Sequence, residues 1–412
     1  MKSGPEKYSL IAKTLQGLEN VLADEVALIG AEEIQVLRRA VKFCGGKEMM
    51  YKANIHLRTA IKVLLPVYSF VAKNEDDLYR EVGQVDWSLY MDTSDTLAVD
   101  GVVSSPYFKH SLYVALKTKD AIVDQFRKNR GIRPSVDPDN PSLKINIHIS
   151  EDKCTISLDS SGEPLYKRGY RKNRNIAPLN EVLAAGMIML SGWNGNSNFV
   201  DPMCGSGTLP IEAALIAYNI PPGIYRKEFG FEKWKDFDQE LFRDLLDEVN
   251  EKAVTSNLIT GTDISGEYIK FAVSNAKNAM LSNKIIFNRQ RMEDFVPPEG
   301  GGTVIINPPY GERMHRNNLG QLYSMIGERL KHNYAGYDVW ILSSNADAMK
   351  NIGLHPTKRI SLINGDLECK FMKFSIYQGT KKTYKSVNDK MVSSHDNRKI
   401  GENIVKDNEP GL

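Results

Sequence analysis

Apolar and polar positions follow different rhythms in the two parts of the chain. Across residues 8–43 the pattern predicts strand, helix, strand: Leu18, Val21, Leu22, Val26 and Ile29 fall at helical spacing, and Gly30 stops the helix. A second stretch over residues 53–65 leads into a strand-like segment at 67–70, alternation returns in Leu97-Ala98-Val99, and a helix is expected over about 110–130. Residues 144–149 alternate strictly, turn at Glu151-Asp152-Lys153 and resume over 155–158, which predicts a β-hairpin. Strands and helices are intermixed and no parallel crossover motif is visible, so the first roughly 160 residues are expected to be α+β. Further on, the order becomes helix (181–190), strand (198–201), Gly-rich turn and helix (209–218), then strands at 258–263, 285–288, 303–307, 337–342 and 371–377 with helices between most of them. That alternation predicts a doubly wound, mostly parallel sheet, an α/β fold of Rossmann-like type.

Composition bounds the function. With 412 residues, 42% hydrophobic and 25% charged, the chain is long enough for two or three domains with real cores. A net charge of +2 means that a nucleic-acid partner must be argued from local clusters. Four scattered cysteines and seven scattered histidines lack CxxC or HExxH spacing, so neither a disulfide framework nor a metal is expected. Charges interrupt the first residues where a signal peptide needs an apolar core, and apolar runs such as Val63-Leu64-Leu65-Pro66-Val67 are too short to span a bilayer. A cytoplasmic protein without membrane contact is the expectation.

Three motifs carry chemistry. The string Phe199-Val200-Asp201-Pro202-Met203-Cys204-Gly205-Ser206-Gly207-Thr208 reads as a strand ending in an acid, a tight Gly-x-Gly turn and a helix start. Pro210 stands where a dinucleotide fingerprint would have its third glycine, which weakens a pyrophosphate reading, and an acid before the turn suits a cationic ligand such as the methionine end of S-adenosylmethionine (SAM). The bland alternative is a βα turn with no ligand. Asp263, in Gly261-Thr262-Asp263-Ile264-Ser265, ends another strand and can accept from ribose hydroxyls, or simply cap a helix. Sixty-two residues separate it from Asp201, against about 20 in a compact unit, so an inserted excursion containing Pro221-Pro222-Gly223 and a charged helix over 238–252 is expected. Asp294 is a candidate acceptor for an adenine amine.

The third motif is Asn307-Pro308-Pro309-Tyr310. The prolines stiffen the segment and remove N–H donors, so the Asn307 amide oxygen and the Pro308 carbonyl are available to grip both hydrogens of an –NH2 group, while Tyr310 offers a stacking face. A base amine is a poor nucleophile, and holding it in line with a methyl sulfonium is catalysis by positioning.

At these motifs the sequence resembles class I SAM-dependent methyltransferases of the amino-methylating NPPY group. The segments 119–137 and 139–159, followed by Lys167-Arg168-Gly169-Tyr170-Arg171, look like a THUMP RNA-binding domain. Together with residues 201–217 and Phe229-Gly230-Phe231-Glu232-Lys233-Trp234, they are similar to bacterial 23S ribosomal RNA guanine-N2 methyltransferases, over roughly residues 8–378. The resemblance implies an N-terminal ferredoxin-like segment (1–45), a THUMP domain (46–160), a basic linker (161–178), a Rossmann-like methyltransferase domain (179–378) and a disordered tail (379–412). Some members continue into a second methyltransferase, and that second activity is not expected here.

The cofactor implied is SAM without metal, held by Asp201, Met203, Cys204, Gly205, Gly207, Thr208, Asp263, Ile264, Asp294 and Asn307; the catalytic residues implied are Asn307, Pro308, Pro309 and Tyr310. Arg127, Lys128, Arg130 and Arg133 at the end of the THUMP helix, and Lys167, Arg168, Arg171, Lys172 and Arg174 in the linker, are expected to contact RNA phosphates, with Tyr166 and Tyr170 stacking on unpaired bases. The expected partner is RNA, 23S ribosomal RNA or a large-subunit precursor. A transfer-RNA guanine-N2 enzyme, an adenine-N6 RNA enzyme and a non-catalytic RNA-binding or assembly factor remain alternatives.

Overall fold

The computed structural model describes residues 7–171, 178–249, 257–310 and 316–376. The chain opens with β1 (Tyr8–Lys13), α1 (Glu19–Leu28), β2 (Glu32–Leu37), β3 (Ala40–Gly45), α2 (Lys47–His56) and β4 (Lys62–Val71). Their order across the sheet is β2-β3-β1-β4, all antiparallel, the ferredoxin-like arrangement. Its last strand lies beyond the 45/46 boundary drawn from sequence, because periodicity does not tell which sheet a helix and its following strand join. The hairpin between β2 and β3 turns on Arg39 at φ 56°, a residue type that gives no turn signal in sequence.

β4 serves two partners. Its first three residues pair with β1, and most of its length pairs with β8 (Lys153–Asp159), with a register shift between Pro66 and Tyr68. Pro66 cannot donate to a ladder, and the bulge beside it accommodates that. Through β4 the front region becomes one eight-stranded sheet, completed by β5 (Thr96–Ser104), β6 (Ser135–Val136) and β7 (Leu143–Ser150) in the order β2-β3-β1-β4-β8-β7-β5-β6. Helices α3 (Glu75–Val82) and α4 (Ser111–Arg130) pack together, and α4 packs on β5. The expectation of no parallel crossover is corrected here: β5 pairs in parallel with β7 over eight residues, with α4 as the crossover.

The second part of the chain runs α5 (Glu181–Ser191), β9 (Asn198–Asp201), α6 (Thr208–Ala217), α7 (Gln239–Asp247), β10 (Ile259–Asp263), α8 (Gly266–Asn278), β11 (Ile286–Arg289), β12 (Gly302–Ile306), α9 (Arg316–Asn333), β13 (Tyr337–Ser343), α10 (Ala346–Lys350), β14 (Lys358–Asn364) and β15 (Leu367–Ser375), and all but α7, which packs on α2, form the second body. Its sheet runs β11-β10-β9-β12-β13-β15-β14, parallel over five strands, with β15 antiparallel to both neighbours. This is the doubly wound fold expected. β14 had escaped notice: its alternating Ile360 and Leu362 sit among Lys358, Arg359 and Ser361, yet Leu362 is fully buried.

The excursion between α6 and β10 does more than lengthen a loop. It lays Phe229, Phe231, Trp234, Phe237 and Phe242 into the core of the front region, with Phe231 stacked on Tyr51 of α2 at 4.2 Å. Such a ring pair contributes about 0.5–1.5 kcal/mol beyond its area. A polar junction lies nearby, where Arg58 donates from Nη2 to the Leu215 carbonyl at 3.2 Å across the two bodies.

Candidate active site

Chain reversal places the site. From β9 the chain winds to β10 and β11 on one side, then returns to β12 and β13 on the other, so β9 and β12 lie side by side with Val200 opposite Val304. Ligands of open α/β sheets bind outside the carboxyl ends of the strands at such a switch point. The Gly-x-Gly turn leaves β9 there, and Asn307-Pro308-Pro309-Tyr310 leaves β12 beside it.

The first turn is tethered at several of its residues. Asp201, 2% exposed, accepts from the Met203 amide at 3.1 Å. Burial pushes its carboxyl well above the usual carboxylate range, and the nearby Asp263 charge pushes the same way. Asp263 braces the turn from β10: Oδ2 accepts from the Gly205 amide at 3.0 Å and Oδ1 from the Ser265 amide at 2.8 Å. The Cys204 amide donates to the Thr262 carbonyl at 2.8 Å, and burial raises the Cys204 thiol, leaving it a packing group. Asn275 of α8, 4% exposed, donates to the Ser206 carbonyl at 3.1 Å. Gly207 opens α6 at φ 82°, and a Cβ there would lie 2.9 Å from that of Ala272, so neither backbone nor packing tolerates a side chain.

Arg171 completes the tethering and corrects a sequence expectation. Its guanidinium pairs with Glu181 at 3.0 Å and donates to Ser206 Oγ at 3.1 Å and Thr208 Oγ1 at 2.8 Å, so it holds the turn and is not a surface phosphate ligand. Burial raises the Glu181 carboxyl, and Arg171 opposes that rise. Arg168 is corrected likewise: its side chain is 1% exposed, faces Glu212 at 3.5 Å and donates to the Leu165 carbonyl at 2.9 Å. Tyr170 cannot stack on RNA either, being buried with its hydroxyl donating to Glu212 at 3.1 Å. A short polar stretch with many cations reads as a linker in sequence, but its described part, up to Arg171, packs against Glu212 and Glu181.

Other expected RNA residues keep their exposure. Arg127, Lys128, Arg130 and Arg133 are exposed at and beyond the end of α4, with Arg130 paired to Asp92 at 3.2 Å. Lys167 is exposed and paired with Glu163. Lys172 and Arg174 lie outside the described residues. Asp294 and Ile264 are exposed beyond β11 and at the end of β10.

The second turn is held differently. Pro308 is buried and Pro309 exposed. Tyr323 of α9 donates to the Pro309 carbonyl at 3.4 Å and is itself hydrogen-bonded to Ser343 at 2.8 Å. Asn364 at the end of β14 donates to the Tyr310 hydroxyl at 2.6 Å. Asn307 Oδ1 is shielded from solvent and accepts no hydrogen bond among the described residues. A buried acceptor left open calls for an explanation, and a ligand donor supplies one. At the first turn, a Cβ on Gly205, whose φ is 53°, would meet nothing within 4 Å, so the backbone borders open space. Both observations fit a ligand seated between the turns. Tyr323, Asn275 and Asn364 were not singled out from sequence: each is a polar residue in or ending an ordinary element, with no motif around it.

Comparison with known proteins identifies the parts. An RlmL ferredoxin-like domain matches residues 9–64, a THUMP domain 72–159, and the RMKL-like methyltransferase domain 168–373. A Synechocystis sp. protein provisionally named an RNA methyltransferase is 37% identical over 89% of this chain and 96% of its own length. Ribosomal RNA large subunit methyltransferase K/L of Syntrophotalea carbinolica is 38% identical over 88% of this chain, which spans only 52% of that relative. The crystal structure of SMU.472, provisionally named a methyltransferase and complexed with S-adenosylhomocysteine, superposes with a TM-score of 0.81 at 30% identity, covering 91% of this chain and all of that one. SAM is thus the methyl donor of this fold. The chain belongs to the RMKL-like methyltransferase family, with a ferredoxin-like unit and a THUMP domain ahead of its catalytic sheet.

Proposed function

We propose that this protein transfers a methyl group from SAM to the N2 amine of a guanosine in 23S ribosomal RNA. The observation that carries the reading is the open Asn307 acceptor beside the tethered Gly-x-Gly turn, on adjacent strands at the switch point. The name of the K/L relative and the THUMP domain support RNA of the large subunit as the substrate class.

Bound SAM would supply a methyl group on a positively charged sulfur. The chain's own residues do the rest. Gly205 and Gly207 keep the first turn free of side chains, and Asp263, at the end of the neighbouring strand, accepts from ribose hydroxyls. Asn307 Oδ1 and the Pro308 carbonyl accept the two hydrogens of the target amine, fixing its lone pair toward the donor and stabilising the positive charge that grows on nitrogen. The surplus proton leaves to water after transfer, so the reaction calls for no general base. Tyr310 stacks on the extruded base, which must leave its helix to reach the site. Arg127, Lys128, Arg130, Arg133 and Lys167 contact phosphates and set the register of the RNA.

The test is incubation of the full chain with methyl-labelled SAM and, in parallel reactions, 23S ribosomal RNA or transfer RNA from cells lacking the enzyme, followed by digestion to nucleosides. Label in N2-methylguanosine is expected. Label in N6-methyladenosine, or transfer confined to transfer RNA, would replace the reading with one of its rivals.

A further inference from the structure

The acceptor turn is anchored from the far edge of the catalytic sheet. Tyr310 is half-buried, its hydroxyl accepts from Asn364 Nδ2 at 2.6 Å, and the Cys369 thiol of β15 lies 4.0 Å away. Asn364 ends β14, the outermost strand, immediately before the turn into β15. Cys369 is fully buried and pairs with Leu362 across that hairpin, so the slot receiving the hydroxyl is built by β14 and β15 together. Burial also pushes the phenol upward, which keeps it neutral.

Resting on the methyl-transfer reading above, we propose that Asn364 is a positioning residue that fixes the Tyr310 ring for the incoming base. The physical reason lies in how the two ends of the tyrosine are used. A phenol hydroxyl hydrogen-bonded to Asn364 is turned toward the β14–β15 hairpin, so what remains for the substrate is the ring. A stacking wall is useful only if its plane is fixed, because a misplacement of about 1 Å can cost a hundredfold in rate. The backbone next to the ring is fixed independently, by Tyr323 at the Pro309 carbonyl. Asn307 Oδ1 has no such partner among the described residues. The turn is thereby rigid at residues 309 and 310 and open for hydrogen bonding at residue 307. The terminal hairpin acquires a job in the chemistry: it holds a ring that follows β12, the strand three places from β14 in the sheet.

The experiment uses the full chain with SAM and 23S ribosomal RNA, in four forms: wild type, Asn364→Ala, Tyr310→Phe and the double variant. Each single variant is expected to lose about tenfold to a hundredfold in kcat with unchanged SAM affinity. The double variant should be no worse than the poorer single, since both changes remove the same hydrogen bond. Asn364→Asp should restore most of the loss, because the phenol can donate to the new carboxylate. A lowered melting temperature with kcat within twofold of wild type would make Asn364 merely structural, and multiplicative losses in the double variant would make the two residues independent. Either result overturns the proposal. A second readout is independent of turnover: in 3-fluorotyrosine-labelled chain, the Tyr310 fluorine resonance, assigned by its absence in Tyr310→Phe, should move in Asn364→Ala. A wild type that transfers no methyl to this RNA defeats the substrate reading alone. An unmoved resonance defeats the anchoring.

Discussion

The turns after β9 and β12 leave neighbouring strands, yet the chain treats them in opposite ways. Around the first, Arg171, Asp201, Asp263 and Asn275 together occupy backbone amides, a carbonyl and two hydroxyls with bonds of 2.8–3.1 Å. Around the second, fixation stops at Pro309 and Tyr310, and the Asn307 oxygen is left open. A site for a constant cofactor gains from complete preorganisation, since each ordered group then costs nothing at binding. A site for a base that must arrive, align and depart needs open acceptors as well as fixed walls.

The sharpest break of this comparison is Asn307→Ala. Loss of methyl transfer by about a hundredfold to a thousandfold is expected, the usual consequence of removing one preorganised group that stabilises transition-state charge. SAM affinity, measured by calorimetry, should stay near wild type. Unreduced turnover would remove the catalytic role from the second turn.

Arg171→Ala attacks the first turn. It leaves the largely buried Glu181 without its cation and frees Ser206 and Thr208, so a stability loss of about 3–5 kcal/mol is expected in denaturant unfolding. SAM should bind more weakly in the same variant. A change of RNA affinity alone would restore Arg171 to the surface role that sequence suggested.

Asp263→Ala should weaken SAM binding by about 1–3 kcal/mol, through lost ribose bonds and a released Gly205 amide. Equal affinity in calorimetry would show that the β10 acid braces nothing the cofactor needs. The smallest effect is expected far from both turns. Replacing Arg127, Lys128 and Arg130 together by Ala should lower the salt dependence of RNA binding by roughly 0.7–0.9 for each phosphate no longer neutralised. Arg130 is already paired with Asp92 and should contribute least. Parallel salt slopes would leave that cluster a solvated face.

Much of this arrangement was legible before any coordinates. The helix–strand alternation beyond residue 180 is a local property of the chain, and it announced the doubly wound sheet. The acid before Gly205 and the Asn307-Pro308-Pro309-Tyr310 run are each contiguous, so the two turns could be located from sequence. The cations at residues 168 and 171 could not. Arginine in a polar stretch looks the same whether it meets water or a buried carboxylate, and only the packing of that stretch brought Glu212 and Glu181 to it. The parallel pairing of β5 with β7 was hidden for a related reason, because strand direction is a relation between segments and leaves no mark in either. The same holds for Asn364 and Tyr310, which are 54 positions apart. Sequence by itself determined the periodicities, the turn chemistry and the contiguous motifs, all set by neighbours along the chain. Tertiary structure alone decided which charges are buried, which strands run together, and which side chains hold the two turns in place, because those depend on residues that only folding brings within a few ångströms.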